Sequence, residues 1–504
     1  MSLTGKLEIL RNAGGPARTT GLPDQALVAF ADDAALRRAV ERAHDAFNAL
    51  REERPEFVAL SEDQQLQQVS AGFVNFYPDD AVNPYLAIAA DGPWIISLKG
   101  AVIYDAGGYG MLGLGHSPDR VVDAMSRPQA MANIMTPAFS QLRFVEAMQA
   151  EIVHTRTACP YAKFLCLNSG SEPVTLAARI ADVNARIQTG EDGRHAGKPI
   201  RRLAIKGGFH GRTDLPARYS DSTRKAYLQH LASWQGREHD LITIDPYDVG
   251  QLRQVFTDAA EQGFFIEAMF IEPVMGEGDP GKALTPEFYA VARELTGEHG
   301  TVLLVDSIQA GLRAHGVLSI VDYPGFEQLP PPDMETFSKA LNAGQYPMSV
   351  LAVTAHAGEL YRKGIYGNTM TANPRALDVA STVLAQVDPE LRINIRERGQ
   401  ECVDKLQALA DELGGLITRV QGTGLLFSCE LSPQFKCYGV GSTEEYLREH
   451  GLGVIHGGAN SLRFTPHFAM TSAEVDLMVE GVRRALTEGP RLAVDKVQAE
   501  AGAA

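Results

Sequence analysis

The stretch "EAMFIEPVMGEGDPGKALTPEFYAVARELTGEHGTVLLVDSI", residues 267–308, contains the alternation that decides the fold. Two short apolar runs, residues 267–274 and 301–308, have the length and composition of buried strands. Between them, residues 286–300 have apolar side chains at helical spacing and end on glycine. A strand, a helix and a strand in this order are typical of a parallel sheet whose faces are covered by helices.

The same alternation extends along the chain in both directions. We expect further strands at residues 162–168, 202–206 and 241–245, with helices at residues 172–187 and 248–263. Two long helices then lead into a smaller segment that ends near residue 488. The pattern predicts an α/β fold, with a large domain built on a mixed, mostly parallel sheet between helices and a smaller α+β domain.

The first 95 residues lack this alternation and have the pattern of a helical extension and lead-in. A helix is expected after the capping candidates Asp32 and Asp33, and a second at Ser61, where Gln64 completes a capping-box pattern. The apolar residues that this second helix is expected to bury are Leu66, Val69 and Phe73. We predict a large domain at residues 96–375, a small domain at residues 376–490 and a tail at residues 491–504.

Composition limits the possible partners and the compartment. The formal net charge of -16 argues against nucleic acid or an anionic membrane as a partner, because both attract basic surfaces. The 5 cysteines are sparse and have no metal-ligand spacing, so neither a disulfide framework nor a metal site is predicted. No signal-peptide core or long apolar run is present in the sequence. We therefore expect a cytoplasmic protein.

Ligands of open α/β sheets bind beyond the carboxyl ends of the strands, so these ends are the places to inspect. "NSGSEP", residues 168–173, opens directly into a helix and could bind an anion through Gly170 and Ser171, or could be an ordinary turn with a serine cap. "GGFHGRT", residues 207–213, offers Phe209 and His210 to a planar ligand, although such a pair also serves in core packing.

Three further strand ends carry charged residues. Glu272 and Glu277 could form an acid/base pair or make ordinary ion pairs. Asp306 follows four apolar residues and would need a partner if it is buried, and Gln309 lies three residues further on. Lys339, in "TFSKAL", is either a surface lysine or, if it is desolvated, a nucleophile toward carbonyl groups.

Together, these five strand ends supply the parts that hold pyridoxal 5'-phosphate (PLP). A phosphate-binding turn, a stacking aromatic ring, a buried aspartate and a lysine are the groups that this cofactor needs. The aspartate keeps the pyridine nitrogen protonated, so that the ring withdraws electrons from the reacting carbon. The lysine forms the Schiff base and later moves protons. The sequence therefore predicts a PLP site with Lys339 and Asp306 as its catalytic residues.

Six segments resemble, in the same order, the motifs of the class III (ornithine/4-aminobutyrate/lysine type) aminotransferases of PLP fold type I. The family typically has "NSGSEANE", "HGRT", "EPVQGEGG", "DEVQTGFGRTG", "SKALGGGYP" and "TFGGNP". The corresponding segments here are "NSGSEPVT", "HGRT", "EPVMGEGD", "DSIQAGLRAHG", "SKALNAGQYP" and "TMTANP". The similarity extends from about residue 95 to residue 488. It implies fold type I, PLP as the cofactor and amino-group transfer as the reaction.

The resemblance assigns roles to the matching positions. Lys339 corresponds to the Schiff-base lysine, Asp306 to the partner of the pyridine nitrogen and Gln309 to the residue that bonds the ring hydroxyl. The other implied cofactor contacts are Gly170 and Ser171 at the phosphate, Phe209 as the stacking ring, His210, Glu272, and Thr369, which reaches the phosphate of the neighbouring subunit. A homodimer with the active site at its interface, or a higher oligomer containing it, follows from this last role.

Two further positions bear on the substrate. Glu277 and Arg463 resemble a gating pair of ornithine- and lysine-type aminotransferases, in which the glutamate masks the arginine until an oxo acid binds. A guanidinium group holds a carboxylate through two parallel hydrogen bonds, and a second carboxylate can occupy the same fork. The alternative is a static salt bridge. The resemblance implies transfer of the ω-amine of a basic or ω-amino acid to 2-oxoglutarate.

Departures from the family pattern leave other reactions open. Ser307 stands where the family usually has Glu, Pro173 and Thr175 interrupt "EANE", and Ala314-His315 replace Arg-Thr. The same fold and cofactor also serve racemases or epimerases, decarboxylating transaminases and aminomutases, and a non-catalytic PLP-fold protein is a further alternative. The N-terminal extension could cover the active-site entrance, strengthen the dimer or bind another partner.

Overall fold

The structure, a computed structural model, describes residues 1–77, 81–130 and 134–492. By its contacts, the chain divides into two compact units. The first contains residues 1–119 together with residues 394–504, and the second contains residues 120–393. The domain boundaries that we placed after residues 95, 375 and 490 remain a prediction.

The second unit is built on a seven-stranded sheet. Its strands are β4 (Lys163–Leu167), β5 (Ile200–Ile205), β6 (Leu241–Ile244), β7 (Phe265–Ile271), β8 (Val302–Asp306), β9 (Met334–Phe337) and β10 (Ser349–Val353). They lie in the order β4-β10-β9-β8-β7-β5-β6. Neighbouring strands from β9 to β6 are parallel, whereas β10 runs antiparallel to both of its neighbours. The mixed, mostly parallel sheet that the alternation predicts is thereby confirmed.

Helices accompany this sheet and supply its core contacts. The helices of this part of the chain are α6 (Asp119–Ser126), α7 (Phe139–Glu151), α8 (Ser171–Thr189), α9 (Asp214–Ala217), α10 (Arg224–His230), α11 (Val249–Gln262), α12 (Pro286–His299), α13 (Ala355–Leu360) and α14 (Pro374–Leu384). Helix α15 (Pro389–Glu412) begins in this unit and has most of its residues in the first. The buried face of α8 packs on β7, β8 and β10 through Val174, Ala177 and Ile180. Since every residue of β7 to β10 is buried, these strands read in the sequence as nearly continuous apolar runs.

The first unit combines the N-terminal helices with two four-stranded sheets. Its helices are α1 (Leu3–Arg11), α2 (Asp24–Val28), α3 (Ala34–Glu53), α4 (Pro55–Val58), α5 (Glu62–Ser70), α16 (Thr443–Glu449) and α17 (Ser472–Glu488). The strands β1 (Ala87–Asp91), β2 (Trp94–Ser97), β3 (Val102–Asp105) and β13 (Leu452–Gly453) form one sheet. The other is antiparallel and contains β11 (Ile417–Thr423), β12 (Leu426–Leu431), β14 (Ile455–Gly457) and β15 (Ser461–Phe464).

The helix predicted at Ser61 forms with its capping box, but the prediction of its buried face was wrong. Leu66 is half-buried, but Val69 is 46% exposed, and Phe73 lies beyond the helix end and is 82% exposed. The buried side chains are instead Glu62 and Gln65. The carboxylate of Glu62 accepts hydrogen bonds from two backbone N–H groups of the loop between α1 and α2, and the Gln65 amide donates to backbone carbonyls. These polar contacts turn Glu62 and Gln65 toward the interior, so the helix does not bury the face that its apolar residues predict.

None of the helices within residues 1–77, 81–130 and 134–492 combines the length and the apolar composition needed to cross a bilayer.

Candidate active site

Five strands of the large sheet end next to the residues that the sequence predicts for the cofactor site. Strands β4, β5, β7, β8 and β9 run in the same direction, because β4 is antiparallel to β10 and β10 is antiparallel to β9. Their carboxyl ends therefore lie at one edge of the sheet. Each of the five predicted strand-end motifs follows one of these strands.

Asp306 is the last residue of β8 and is only 4% exposed. Its Oδ1 accepts hydrogen bonds from Thr336 Oγ1 at 3.0 Å and from the N–H of Ile308 at 3.2 Å. Its Oδ2 lies 2.9 Å from Nδ1 of His210, whose ring is also buried. Three partners therefore stabilise a nearly buried carboxylate, as a buried charge requires.

Lys339 begins a short 3₁₀ turn that follows β9 and has φ of 45°. This left-handed conformation is unfavourable for a residue with a side chain, and such strain concentrates at functional sites. The ammonium group donates a hydrogen bond to Oε1 of Gln309. Nε2 of Gln309 is buried and finds no hydrogen-bond partner within the described residues. The structure thus brings Lys339 and Gln309 together and leaves an amide donor available beside them.

Glu272 organises the loops that follow β5 and β7. Its two carboxyl oxygens accept hydrogen bonds from the N–H of Phe209 at 3.0 Å and from the N–H of Gly276 at 2.8 Å. Burial raises the pKa of Glu272 to about 7, although the nearby His210 and the two N–H groups act in the opposite direction. Glu272 therefore connects these two loops, and its role as a cofactor contact remains a prediction. The guanidinium of Arg212 lies 5.4 Å from the centre of the Phe209 ring.

The turn at Gly170 and Ser171 forms the N-terminus of the long helix α8. Backbone N–H groups and the helix dipole at such a terminus favour an anion. The turn lies next to the "HGRT" segment: at Gly211, which has φ of 116°, an added Cβ would lie 2.5 Å from the hydroxyl of Ser171. The candidate phosphate-binding turn and the candidate ring-stacking loop are thus direct neighbours.

Thr369 does not belong to this cluster of contacts. It is exposed on the loop between α13 and α14, beside an apolar cavity of about 770 Å³. Asn368 and Thr371 also line that cavity, together with apolar side chains of α7, β4 and α8.

The two residues predicted to select the substrate belong to different units of the chain. Glu277 is partly exposed, with one carboxyl oxygen 3.9 Å from a guanidinium nitrogen of Arg212. Arg463 lies on β15, paired with Ser428 and Ile455, and is 6% exposed. Their pairing as a gate remains a prediction.

Two residues of this site were not predicted from the sequence. Thr336 pairs with Asp306 across β8 and β9, and only the strand register reveals that its hydroxyl meets the carboxylate. Glu172 accepts hydrogen bonds from the backbone of Asn168 and Ser169. An acidic residue in the first turn of a helix was a signal for this second contact, because it favours reciprocal capping.

The side chains at this edge fit PLP. Asp306 supplies a desolvated carboxylate for a cationic ring nitrogen, and the free Nε2 of Gln309 supplies a donor for a ring oxygen. Lys339 supplies the amine for the aldehyde carbon, and the N-terminus of α8 supplies a site for a phosphate dianion. The fold and this set of groups define a PLP-dependent enzyme of fold type I.

Comparisons with known proteins identify the family within fold type I to which the chain belongs. The model of the family "Aminotransferase class-III" matches residues 76–486. The chain is 30% identical over 424 residues to an acetylornithine aminotransferase of Neisseria meningitidis serogroup B, covering 82% of this chain and 96% of that protein. It is 27% identical to "Ornithine aminotransferase 2" of Staphylococcus aureus, covering 79% and 93% of the two chains.

Solved structures have the same fold. The ornithine aminotransferase of Toxoplasma gondii aligns with a TM-score of 0.70 at 22% identity, covering 86% of this chain and 97% of that one. A transaminase from the marine bacterium Virgibacillus aligns with a TM-score of 0.69 at 18% identity, covering 87% and 100%. Another structure of the Toxoplasma enzyme is described with PLP partially occupying its active site.

The chain belongs to the class III aminotransferase family. It is a PLP-dependent transaminase, which confirms the predicted fold, cofactor and enzyme class.

Proposed function

We propose that the protein transfers the ω-amino group of a basic or ω-amino acid, of the lysine, ornithine or 4-aminobutyrate type, to 2-oxoglutarate. The observation on which this proposal depends is the contact between Lys339 and Gln309 at the edge of the sheet where Asp306 ends β8. It is supported by the relatives of the chain, which are named as acetylornithine and ornithine aminotransferases.

In this proposal, each residue of the cluster has a distinct task. PLP, when bound, supplies the electron sink that stabilises negative charge at the substrate carbon as it loses its proton. Asp306 would hold a proton on the ring nitrogen, and the contacts from His210 and Thr336 fix the orientation of its carboxylate. Lys339 would hold the cofactor through its amine and would accept the proton that leaves the substrate carbon. Gln309 bonds the ring hydroxyl.

Gly170 and Ser171 would hold the phosphate at the N-terminus of α8, and Phe209 would stack on the ring. Glu272 orients the Phe209 loop through its bond to the Phe209 N–H. Glu277 and Arg463 would select between the amine donor and the carboxylate of the oxo acid.

We also propose a homodimer whose active sites lie at the subunit interface. The exposed Thr369 beside the apolar cavity supports a role toward a second copy. Ile134 and Met135, which line the same cavity, are 65% and 79% exposed in a single copy. Contiguous exposed apolar surface of this kind is typical of protein interfaces.

The proposed compartment is the cytoplasm. The cysteines Cys159, Cys166, Cys402, Cys429 and Cys437 are all free thiols. Unpaired cysteines are usual in reducing compartments, which supports this proposal.

Half-reactions without an oxo acid test the proposed chemistry. The PLP-loaded protein is mixed with lysine, ornithine or 4-aminobutyrate, and the visible absorbance of the lysine-bound cofactor is followed. Amino-group transfer predicts that at least one of these amines abolishes this band and that 2-oxoglutarate restores it. If every ω-amine leaves the band unchanged, the proposal is wrong.

A racemase would behave differently in the same experiment. It would retain the band while exchanging the α-hydrogen of its substrate with solvent deuterium, and chiral chromatography would detect the inverted amino acid. Lys339→Ala serves as the control, because its spectrum with PLP should lack the lysine-bound band.

A further inference from the structure

One carboxylate, that of Glu172, connects two separate loops of the second unit. Its Oε2 accepts hydrogen bonds from the N–H groups of Asn168 at 2.6 Å and Ser169 at 2.9 Å. Its Oε1 accepts hydrogen bonds from the hydroxyl of Tyr366 at 3.1 Å and from Nδ2 of Asn368 at 2.6 Å. One oxygen therefore holds the turn before α8, and the other holds the loop between α13 and α14.

The second of these loops is fixed around Thr369. Oδ1 of Asn368 accepts a hydrogen bond from the N–H of Met370 at 2.9 Å, and the carbonyl of Asn368 accepts one from Oγ1 of Thr371 at 2.9 Å. Asn368 is thus bound to Glu172 on one side and closes a turn on the other. Thr369 is exposed in the middle of this turn.

A second residue of α8 secures the same loop. Arg179 donates to the carbonyl of Ile365, and its guanidinium lies 5.9 Å from the centre of the Tyr366 ring. The loop is therefore attached to α8 through both Glu172 and Arg179. Of these two residues, only Glu172 also contacts the turn at Asn168.

The negative charge of Glu172 strengthens its hydrogen bonds to both loops. Burial raises the pKa of Glu172, but the hydrogen bonds from Ser169, Asn168, Tyr366 and Asn368 outweigh burial, so the pKa lies below its ordinary value. Burial and the negative charge of Glu172 raise the pKa of Tyr366 to about 12, so that its hydroxyl remains a donor. Hydrogen bonds to an ionised acceptor are stronger than those between neutral groups.

We propose that Glu172 is a positioning residue that couples the two cofactor sites of the homodimer. Oε2 shapes the phosphate-binding turn of its own subunit, and Oε1 holds the loop that presents Thr369 to the phosphate of the second copy. This inference rests on the proposed function, namely the dimer and the phosphate contacts of Ser171 and Thr369. An ordinary helix cap would need only the contact made by Oε2.

The coupling is first tested in the PLP-free protein by amide hydrogen exchange. Glu172→Gln retains the size of the side chain, but it removes the negative charge that strengthens all four hydrogen bonds and places an NH₂ group against one pair of donors. We expect faster exchange in both segments, residues 168–171 and 366–371. Arg179→Gln is the matched control, and it should accelerate exchange in the second segment alone. Faster exchange confined to residues 168–171 in Glu172→Gln would refute the coupling.

Hybrid dimers separate the effect within a subunit from the effect across the interface. In the reference hybrid, one subunit carries Lys339→Ala, so the visible band reports PLP at the other subunit alone. In the test hybrid, Glu172→Gln is added to the subunit that already lacks Lys339. The only lysine-bearing site then has its own Glu172 intact and receives the altered loop from its neighbour.

We expect the PLP dissociation constant of this test hybrid to be roughly tenfold above the reference, as for the loss of one hydrogen bond to a charged group. An unchanged constant would overturn the coupling. A third hybrid, with Thr369→Ala in the subunit that lacks Lys339, separates the two possible failures. If Thr369→Ala weakens PLP binding and Glu172→Gln does not, only the coupling is refuted. If Thr369→Ala has no effect, the proposed phosphate contact fails and the coupling fails with it.

Discussion

Replacing Glu272 by glutamine should change how the stability of the PLP-free protein depends on pH. Burial raises the pKa of Glu272 from 4.5 to about 7 in the folded state. Between these values, the folded protein binds a proton that the unfolded chain has released. The free energy of unfolding of the wild-type protein therefore decreases as the pH rises through this range, and it becomes constant above about pH 8 with respect to this group.

The size of the effect follows from the two pKa values. They differ by about 2.5, and at about 1.4 kcal/mol for each pKa unit the stability contribution lost between pH 4.5 and pH 8 is about 3 kcal/mol. Glutamine at position 272 does not titrate. Its NH₂ group faces one of the N–H donors of Phe209 and Gly276, which lowers the stability by an amount that does not depend on pH.

The assay is urea unfolding of the PLP-free wild type and of Glu272→Gln at a series of pH values from 5 to 8.5. The two stability curves should converge as the pH rises, because only the wild type loses the contribution of the bound proton. Glu172→Gln is the control. The pKa of Glu172 is lowered in the folded state, so this group is ionised in both states above pH 5 and its curve should parallel the wild type. Parallel curves for Glu272→Gln would show that burial does not raise the pKa of Glu272.

Three further substitutions test the site and the interface. Asp306→Asn should lower kcat/KM by about 10²- to 10³-fold, since it removes the charge that keeps the ring nitrogen protonated, and steady-state kinetics would measure this loss. Thr336→Val removes one hydrogen bond to Asp306 at nearly constant volume and should raise the PLP dissociation constant about tenfold in an absorbance titration. Met135→Glu places a charge on exposed apolar surface and should shift the protein from dimer to monomer in analytical ultracentrifugation.

The strand ends could be predicted from the sequence because their signals are local. A buried parallel strand is an apolar run, and the polar residue that follows it is visible without the fold, as at Asp306 and Lys339. The contact between Thr336 and Asp306 depends on the register of β8 and β9, which no local pattern specifies. The family resemblance supplied the roles of Gln309 and Thr369, which the residue types alone do not give.

The N-terminal helices show where local patterns fail. The capping box at Ser61 is a contact within four residues, and it forms as predicted. The buried face of the same helix is determined by Glu62 and by its bonds to the N–H groups of Arg18 and Thr19. Because these partners lie more than 40 residues away in the chain, the apolar periodicity of Val69 and Phe73 predicted the wrong face.

The departure at Ser307 has a structural explanation in the neighbouring strand. Ser307 follows Asp306 where the family usually has Glu, and its hydroxyl donates to Oε1 of Glu335 at 2.5 Å. Glu335 lies on β9, is fully buried and also accepts from Tyr161 at 2.6 Å and from the N–H of Ile320 at 2.9 Å. A carboxylate is therefore present beside position 307, although it comes from a different strand.

If Glu335 supplies the carboxylate that the family has at position 307, substitutions at the two positions should compensate for each other in stability. Ser307→Glu alone would bury a second carboxylate against Glu335, whose pKa is already raised by burial, and should destabilise the protein by about 3 kcal/mol or more. Glu335→Val alone leaves the donors of Tyr161 and Ile320 without their acceptor and should also destabilise it. The double variant returns one carboxylate to the cluster, so its loss of stability in urea unfolding should be smaller than the sum of the two single losses. Additive losses would show that the two side chains are independent, and Ser307 would then be a change without compensation.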